Sequence, residues 1–248
     1  MDHRPKLSII ILAYNEAAHI GHCLEAIGKQ LTPADEVIVV NNNSTDDTVV
    51  IAKQFAFAKI INESTQGMIP ARTAGFAAAT GDLLARIDAE TILPPQWVAT
   101  VHRLFDGYAD QPYALSGPVI LHDTGNRFAN VFFGRLTFWT YAWGSRLMLG
   151  YHTLYGANMV ITRAAYKLTQ TLVCHPDARE QKQLGMLEDM DIAIHLHQAG
   201  GHILYSTKIE AAVSKRGLTN SLRWRFWAWF ETAIHHRLAV AKQRAAAE

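Results

Sequence analysis

Four short apolar runs punctuate the N-terminal part of the chain: LSIIILA (7–13), EVIVV (36–40), AKII (58–61) and DLLARI (82–87). Each has strand length, and each carries apolar or β-branched residues at consecutive rather than alternate positions. Such runs suit strands buried on both faces. Between them lie EAAHIGHCLEAIGKQ, TDDTVVIAKQFA and IPARTAGFAAAT, which carry helical spacing. This repetition predicts an α/β fold built on a mostly parallel central sheet flanked by helices.

In open sheets of this kind, ligands sit beyond the carboxyl ends of the strands. Three polar clusters fall at such ends: AYNE after the first run, NNNSTDDT after the second and DAET after the fourth. Their convergence on one rim marks a candidate site. Within NSTDDTVV, Ser44 and Asp47 have the spacing of a capping box before a helix starting near Thr45. Gly81 is placed to end the helix that precedes DLLARI.

Asp88 and Glu90 stand one residue apart at a strand end. In an extended or turning segment their oxygens can aim at one point, as a hard divalent cation such as Mg²⁺ or Mn²⁺ requires. A solvated turn accounts for the same pair. Asn41, Asn42 and Asn43 offer amide groups where the sheet opens, beside the free N–H groups of a helix start. In LEDMDIAIHLHQAGG, helical spacing puts Asp189 on a face with Ile192, Ala193 and Leu196, looking inward. Glu188 joins Asp191 and His195 on a more polar face. A carboxylate held at that helix start can serve as a general base, and ordinary acidic enrichment of a first turn gives the same pattern.

After Gly107 the texture changes. YALSGPVIL reads as a further strand, and residues 127–150 are dense in aromatics and punctuated by arginines. YGANMVITRAAY, a polar loop and the LEDMD helix follow, then SLRWRFWAWFETAIHHRL. Residues 1–215 read as one α/β domain and 216–248 as an aromatic-rich helical extension.

Together these pieces resemble glycosyltransferase family 2, whose catalytic domain has the GT-A fold, a Rossmann-like α/β arrangement. LSIIILAYNEAAHIGHCLEAI is similar to the family's first strand and helix. DEVIVVNNNSTDDT resembles its V-D-D-G-S-T-D-G-T segment, and GMIPARTAGFAAATGDLLARIDAETILPPQW the approach to its D-x-D motif. GANMVITRAAY and LEDMDIAIHLHQAGG look like its acceptor-side Gly-Asn loop and E-D motif. The resemblance spans about residues 7–210.

It implies an inverting transfer of a sugar from a nucleotide diphosphate donor to a hydroxyl acceptor, lipid-linked or glycan, with Mg²⁺ or Mn²⁺. Carried over, Tyr14, Glu16 and Asn42 meet the nucleoside, with Arg72 near it or the diphosphate. Asp88 lies by the ribose or the metal, and Glu90 ligates the metal. Asp189 is the catalytic base, with Glu188 and Asn158 in the acceptor region. The departures are specific. Asn41 and Asn42 replace a frequent acidic pair, Glu90 replaces the second Asp, and Ser214 and Lys215 stand where the family's late His is expected.

The two aromatic segments, 127–149 and 222–240, admit internal packing, an oligomer interface or contact with a membrane surface. NSLRWRFWAWF faintly resembles the Q-x-x-R-W motif of processive synthases, but no stretch reaches the roughly 18 apolar residues of a membrane span. A net charge of +1 gives no global pull toward nucleic acid. Cys23 and Cys174 are too few for a disulfide framework, and MDHRPKLSIIILAYNE is not a signal peptide. The expectation is a cytoplasmic protein, peripheral on the inner face of the membrane if the aromatic segments bind lipid. Two other functions fit the same sheet: a nucleotide-sugar-binding scaffold without turnover, and a nucleotidyltransferase. The latter calls for a Gly- and Arg/Lys-rich phosphate loop that AYNEAAHIG lacks.

Overall fold

A computed structural model of the chain describes residues 4–170 and 188–216. The proposed extension beyond Arg216, including 222–240, and Cys174 lie outside the described residues.

The four apolar runs form strands β1 (Leu7–Ala13), β2 (Glu36–Asn41), β3 (Ala58–Asn62) and β4 (Leu83–Asp88). All four lie parallel, in the order β3-β2-β1-β4. Helices α1 (Ile20–Gly28), α2 (Thr48–Ala52), α3 (Met68–Ala78) and α4 (Trp97–Leu104) connect or follow them. Successive residues of β1 point to opposite faces. Ile9 and Ile11 pack with Ile20, Leu24, Trp97 and Phe105, whereas Ile10 packs with Ile38, Ala71 and Phe76. Both faces are covered, which is why the strands read as continuous apolar runs. Each fully buried Ile or Leu contributes about 1.5–3 kcal/mol.

YALSGPVIL does not form one strand. It divides into β5 (Tyr113–Ser116) and β6 (Val119–Leu121). Pro118 has no N–H to donate and closes the pairing on the main sheet. β5 joins β7 (Met159–Thr162) and β8 (His202–Tyr205) to complete a seven-stranded sheet, order β3-β2-β1-β4-β7-β5-β8. β7 runs antiparallel to both β4 and β5, so the sheet is mostly parallel with one reversed strand. β6 pairs instead with β9 (Ala211–Val213) in a separate two-stranded ribbon. A 23-residue helix, α5 (Arg127–Leu149), lies on β6, while α6 (Arg163–Gln170) and α7 (Glu188–Gln198) cover the face shared with α3.

Two local expectations are corrected. The capping box does not form: α2 begins at Thr48, and Asp46 rather than Asp47 accepts its N–H. The Ser44 hydroxyl instead accepts the N–H of Asn15 from the loop after β1. Gly81 does not end α3, which stops at Ala78 when Ala79 turns extended. Gly81 donates its N–H to Ser8 Oγ, close to the backbone of Lys6 and Ser8, where a β-carbon would collide.

Register sets the rim. Ala13 pairs with Asn41, and Leu12 with Asp88, so the ends of β1, β2 and β4 finish level.

Candidate active site

A cleft of about 280 Å³ opens at that rim, with Tyr14, Glu16, Asn42, Asp88, Glu90 and Arg216 in its lining. Two asparagines there have left-handed backbone, Asn15 (φ 54°) and Asn43 (φ 63°). Asparagine tolerates that region better than most residues, so the chain reverses sharply after β1 and β2. The two reversals are stitched together. Asn15 Oδ1 accepts from Thr45 N at 2.8 Å, and Glu16 N donates to Thr48 Oγ1 at 2.7 Å.

Asn42 is buried and its amide is fully engaged. Its Nδ2 donates to the carbonyls of Glu63 and Thr65, and its Oδ1 accepts from Gly67 N and Gln66 Nε2. The residue therefore holds the 63–67 loop against the rim. Tyr14, half exposed, stands at the mouth of the cleft.

Beneath the cleft lies a buried charge cluster. Arg86, in the middle of β4, reaches Asp88 Oδ1 at 2.8 Å and Glu188 Oε1 at 3.3 Å. Arg72, on α3, reaches Glu188 Oε2 at 2.9 Å. Two buried guanidinium groups thus hold Glu188 from both sides. A buried ion of either sign is tolerated only with such partners. The face shared by Glu188, Asp191 and His195, expected to be the more polar one, is as buried as its opposite. His195 Nδ1 lies 3.3 Å from Asp191 Oδ1.

On the other side of Asp88, Arg216 Nη2 pairs with Glu16 and lies 3.1 Å from Glu90 Oε2. Asp123 secures this arrangement. It accepts from Ser214 Oγ at 2.6 Å and from Lys215 N at 2.7 Å, so the Ser214–Arg216 stretch returns over the cleft. Burial pushes the Glu90 carboxyl up to about 7, and Asp88, Glu16 and Asp123 add to the rise against the pull of Arg216.

These oxygens suit a hard divalent cation. Glu16 Oε2 and Glu90 Oε2 are both buried, with His19 Nδ1 3.2 Å from the first and Arg216 Nη2 3.1 Å from the second. Among the described residues no three His, Cys, Asp or Glu gather closely enough to enclose an ion alone. Mg²⁺ sites in which substrate phosphates complete the coordination need only one or two protein carboxylates.

Asp189 is not in the cleft lining; it meets the cluster through Gly156 and Arg86. Gly156 N donates to Asp189 Oδ2 at 2.8 Å, and Met190 N donates to Oδ1 at 2.8 Å. A β-carbon on Gly156 would stand 3.4 Å from that Oδ2. Burial raises the Asp189 pKa and Glu188 adds to it, while the two N–H donors and Arg86 oppose the rise. A raised carboxylate in a fixed orientation is suited to accepting a proton.

Asn158 follows Gly156 in a 3₁₀ turn (Gly156–Asn158), but its side chain points into the core. Its Oδ1 accepts from Trp97 Nε1, and its Nδ2 donates to Pro118 O and Ile209 O. It braces the turn that carries Gly156 and touches no open space.

The structure therefore brings Tyr14, Glu16, Asn42, Asp88 and Glu90 to one cleft. It places Arg72 and Glu188 beneath them as a buried pair. Sequence reading passed over Arg86 and Arg216. A lone arginine inside an apolar strand was the available signal for Arg86, since such a charge demands buried carboxylates. For Arg216 the basic pair after Ser214 was the signal.

The profile described as Glycosyl transferase family 2 matches residues 8–168. Glycosyltransferase AglE of Haloferax volcanii is 39% identical over 101 residues, which is 38% of this chain and 33% of that protein. The uncharacterized glycosyltransferase YibD of Escherichia coli is 33% identical over 105 residues, 41% of this chain and 30% of its own. The chain thus spans about a third of the length of the curated relatives it matches. Mannosyltransferase PcManGT from Pyrobaculum calidifontis, solved with GDP-Man and Mn²⁺, superposes with a TM-score of 0.64 and 21% identity. That match covers 94% of this chain and 65% of the other. S. aureus TarS 1-349 with UDP-GlcNAc gives 0.60 and 18%, covering 85% and 59%. These likenesses place the chain in the GT-A fold.

Proposed function

The chain belongs to glycosyltransferase family 2, and from that premise we propose that it transfers a sugar from a nucleotide diphosphate donor to a hydroxyl acceptor, with inversion at the anomeric carbon. The observation that carries the proposal is the meeting of two carboxylate systems across Arg86: Asp88 and Glu90 at the cleft, and Asp189 held by Gly156 beside it. PcManGT, with its GDP-Man and Mn²⁺, and TarS, with its UDP-GlcNAc, support a nucleotide-sugar donor and a divalent cation.

In this reading the nucleoside stacks at Tyr14, inside the turns that Asn15, Asn42 and Asn43 shape. Asp88 and Glu90 would hold Mg²⁺ or Mn²⁺ together with the donor's phosphates. That ion, when bound, supplies Lewis-acid stabilisation of the departing diphosphate. Arg216 adds a cation at the same end of the cleft. Asp189 takes the proton of the acceptor hydroxyl as the oxygen attacks the anomeric carbon from the face opposite the leaving group. The bond to the diphosphate oxygen breaks as the new glycosidic bond forms, so no covalent enzyme intermediate is needed. Glu188, locked between Arg72 and Arg86, and Asn158, bound within the core, act by positioning Asp189 and the Gly156 turn. Donor and acceptor fixed in line gain the usual positional advantage.

A second reading, a nucleotide-sugar-binding scaffold, is favoured by one contact: Arg216 already neutralises Glu16 and Glu90. Isothermal titration of several nucleotide sugars with and without Mn²⁺, beside donor-hydrolysis and transfer assays, separates the two. Metal-dependent binding with turnover supports transfer. Binding without hydrolysis or transfer across a broad acceptor panel supports the scaffold.

A further inference from the structure

Helix α5 is apolar on two opposite sides. Gly134, Phe138, Ala142 and Ser145 form its buried side and pack over β6, against Val119 and Leu121. On the other side Phe128, Phe132, Leu136, Trp139, Trp143 and Leu147 follow one another at intervals of three or four residues, which is one continuous helical stripe. Every one of the six is about half exposed or more, up to 88% for Leu147. A contiguous exposed stripe of this kind marks an interaction surface.

The charge on the helix is one-signed. Residues 127–149 include Arg127, Arg135 and Arg146 and no Asp or Glu. Arg135 and Arg146 fall on the edge of the aromatic stripe by helical spacing, where Arg135 also meets Glu210 and Arg146 meets His152. Bulky aromatics flanked by arginines suit the headgroup zone of a bilayer, where rings sit at the acyl boundary and guanidinium groups meet phosphates. Among the described residues no helix is long and apolar enough to cross a membrane, so such a helix would lie in the surface plane.

We propose that the outer face of α5 docks this protein onto an anionic lipid bilayer. The stripe supplies the apolar contact, and Arg135 and Arg146 at its edge supply complementarity to anionic headgroups. The docking depends on this surface alone and stands or falls separately from the transfer reaction. Leu149 and Tyr151, at and just after the end of α5, pack against Met190 and Ile194 beside Asp189. Phe138 meets Tyr155 edge-on, one residue before Gly156. The helix that touches lipid with its outer face is thus the helix whose inner face backs the base.

The test is co-sedimentation of the full chain with vesicles of phosphatidylcholine, alone or mixed with phosphatidylglycerol. The expected result is preferential binding to the anionic vesicles that weakens with salt. The Trp139→Ser/Trp143→Ser variant should need about tenfold more lipid for half-binding. Arg146→Glu should reduce the anionic preference by about fivefold or more. Leu147→Ser, the most exposed position, serves as a milder variant should the tryptophan pair disturb folding, with thermal melting as the check. No vesicle binding by the unaltered chain overturns the proposal. So does binding that none of these variants weakens, which would place the contact in residues 217–248. An oligomer in solution that the tryptophan variant dissociates, without vesicle binding, would assign the stripe to a second copy and overturn it equally.

Discussion

Gly156 leaves the space that the Arg86 guanidinium fills: a β-carbon there would stand 1.6 Å from Nη1. That guanidinium contacts Asp88 and Glu188, and the Gly156 N–H holds Asp189. Substituting alanine at 156 must therefore move backbone or guanidinium. The Gly156→Ala protein is expected to lose about 1–3 kcal/mol of stability in urea unfolding, as overpacked interiors do. Its transfer rate should fall further than its donor affinity, because the base loses its orientation. Unchanged melting and activity would show that the turn has slack.

Asp189→Asn should leave donor binding nearly intact and reduce turnover by about 10²–10⁴-fold. The pH profile gives a second check. The acid-side limb of kcat should fall above the ordinary aspartate value, because burial holds the Asp189 pKa up. The rate rises with pH through that limb as the carboxyl loses its proton, and the limb should vanish in the variant. Equal loss of binding and turnover would sink the assignment of Asp189 as base.

Glu90 has a raised carboxyl, from 4.5 to about 7. The folded protein therefore prefers the protonated form. Stability of the ligand-free protein should decline as pH rises from the unfolded value through about 7, and Glu90→Gln should flatten that decline. Cation affinity runs the other way, since the ligand must be ionised. Mn²⁺ should bind about tenfold more tightly one unit above that pKa than one unit below it. A pH-independent Mn²⁺ titration would remove Glu90 from the ligand set.

Arg216→Ala should tighten Mn²⁺ binding in the absence of nucleotide, measured above the Glu90 pKa, by about fivefold, since Arg216 and the ion seek the same carboxylates. Nucleotide-diphosphate affinity should fall in the same variant, because a cation facing the phosphates is gone. A variant that changes neither would make the pairing with Glu16 and Glu90 incidental.

Asn42→Ala removes four hydrogen bonds from a buried amide and should cost about 2 kcal/mol or more. Proteolysis should then find the 63–67 loop. A stable variant that merely loses nucleotide affinity would restore a direct nucleobase contact for this residue.

Much of the fold was legible because β1 to β4 are each buried on both faces, so burial writes itself into consecutive residues. The rim was legible for a related reason: Tyr14, Asn42 and Asp88 are where those apolar runs stop. What escaped reading was contact across long separations. Arg86 meets Glu188 over about a hundred intervening residues, and no local spacing announces that. The resemblance assigns Asn42 to the nucleoside and Asn158 to the acceptor region, whereas in the fold the side-chain amides of both bond to the chain's own groups, a commitment that no local spacing announces. The apolar run YALSGPVIL reads as one strand, but Gly117 and Pro118 divide it, because Pro118 has no N–H to continue the pairing.

At Gly134, α5 lies against β6 backbone to backbone, with a β-carbon there only 2.5 Å from the Ile120 Cα. No cushion of side chains separates the two at that point, so the helix cannot roll or slide without carrying the strand. β6 is bonded to β9, and β9 runs into the stretch that Asp123 clamps and that ends at Arg216. The exposed helix and the mouth of the cleft are thus joined through the Gly134 contact, the β6–β9 pairing and the Asp123 clamp.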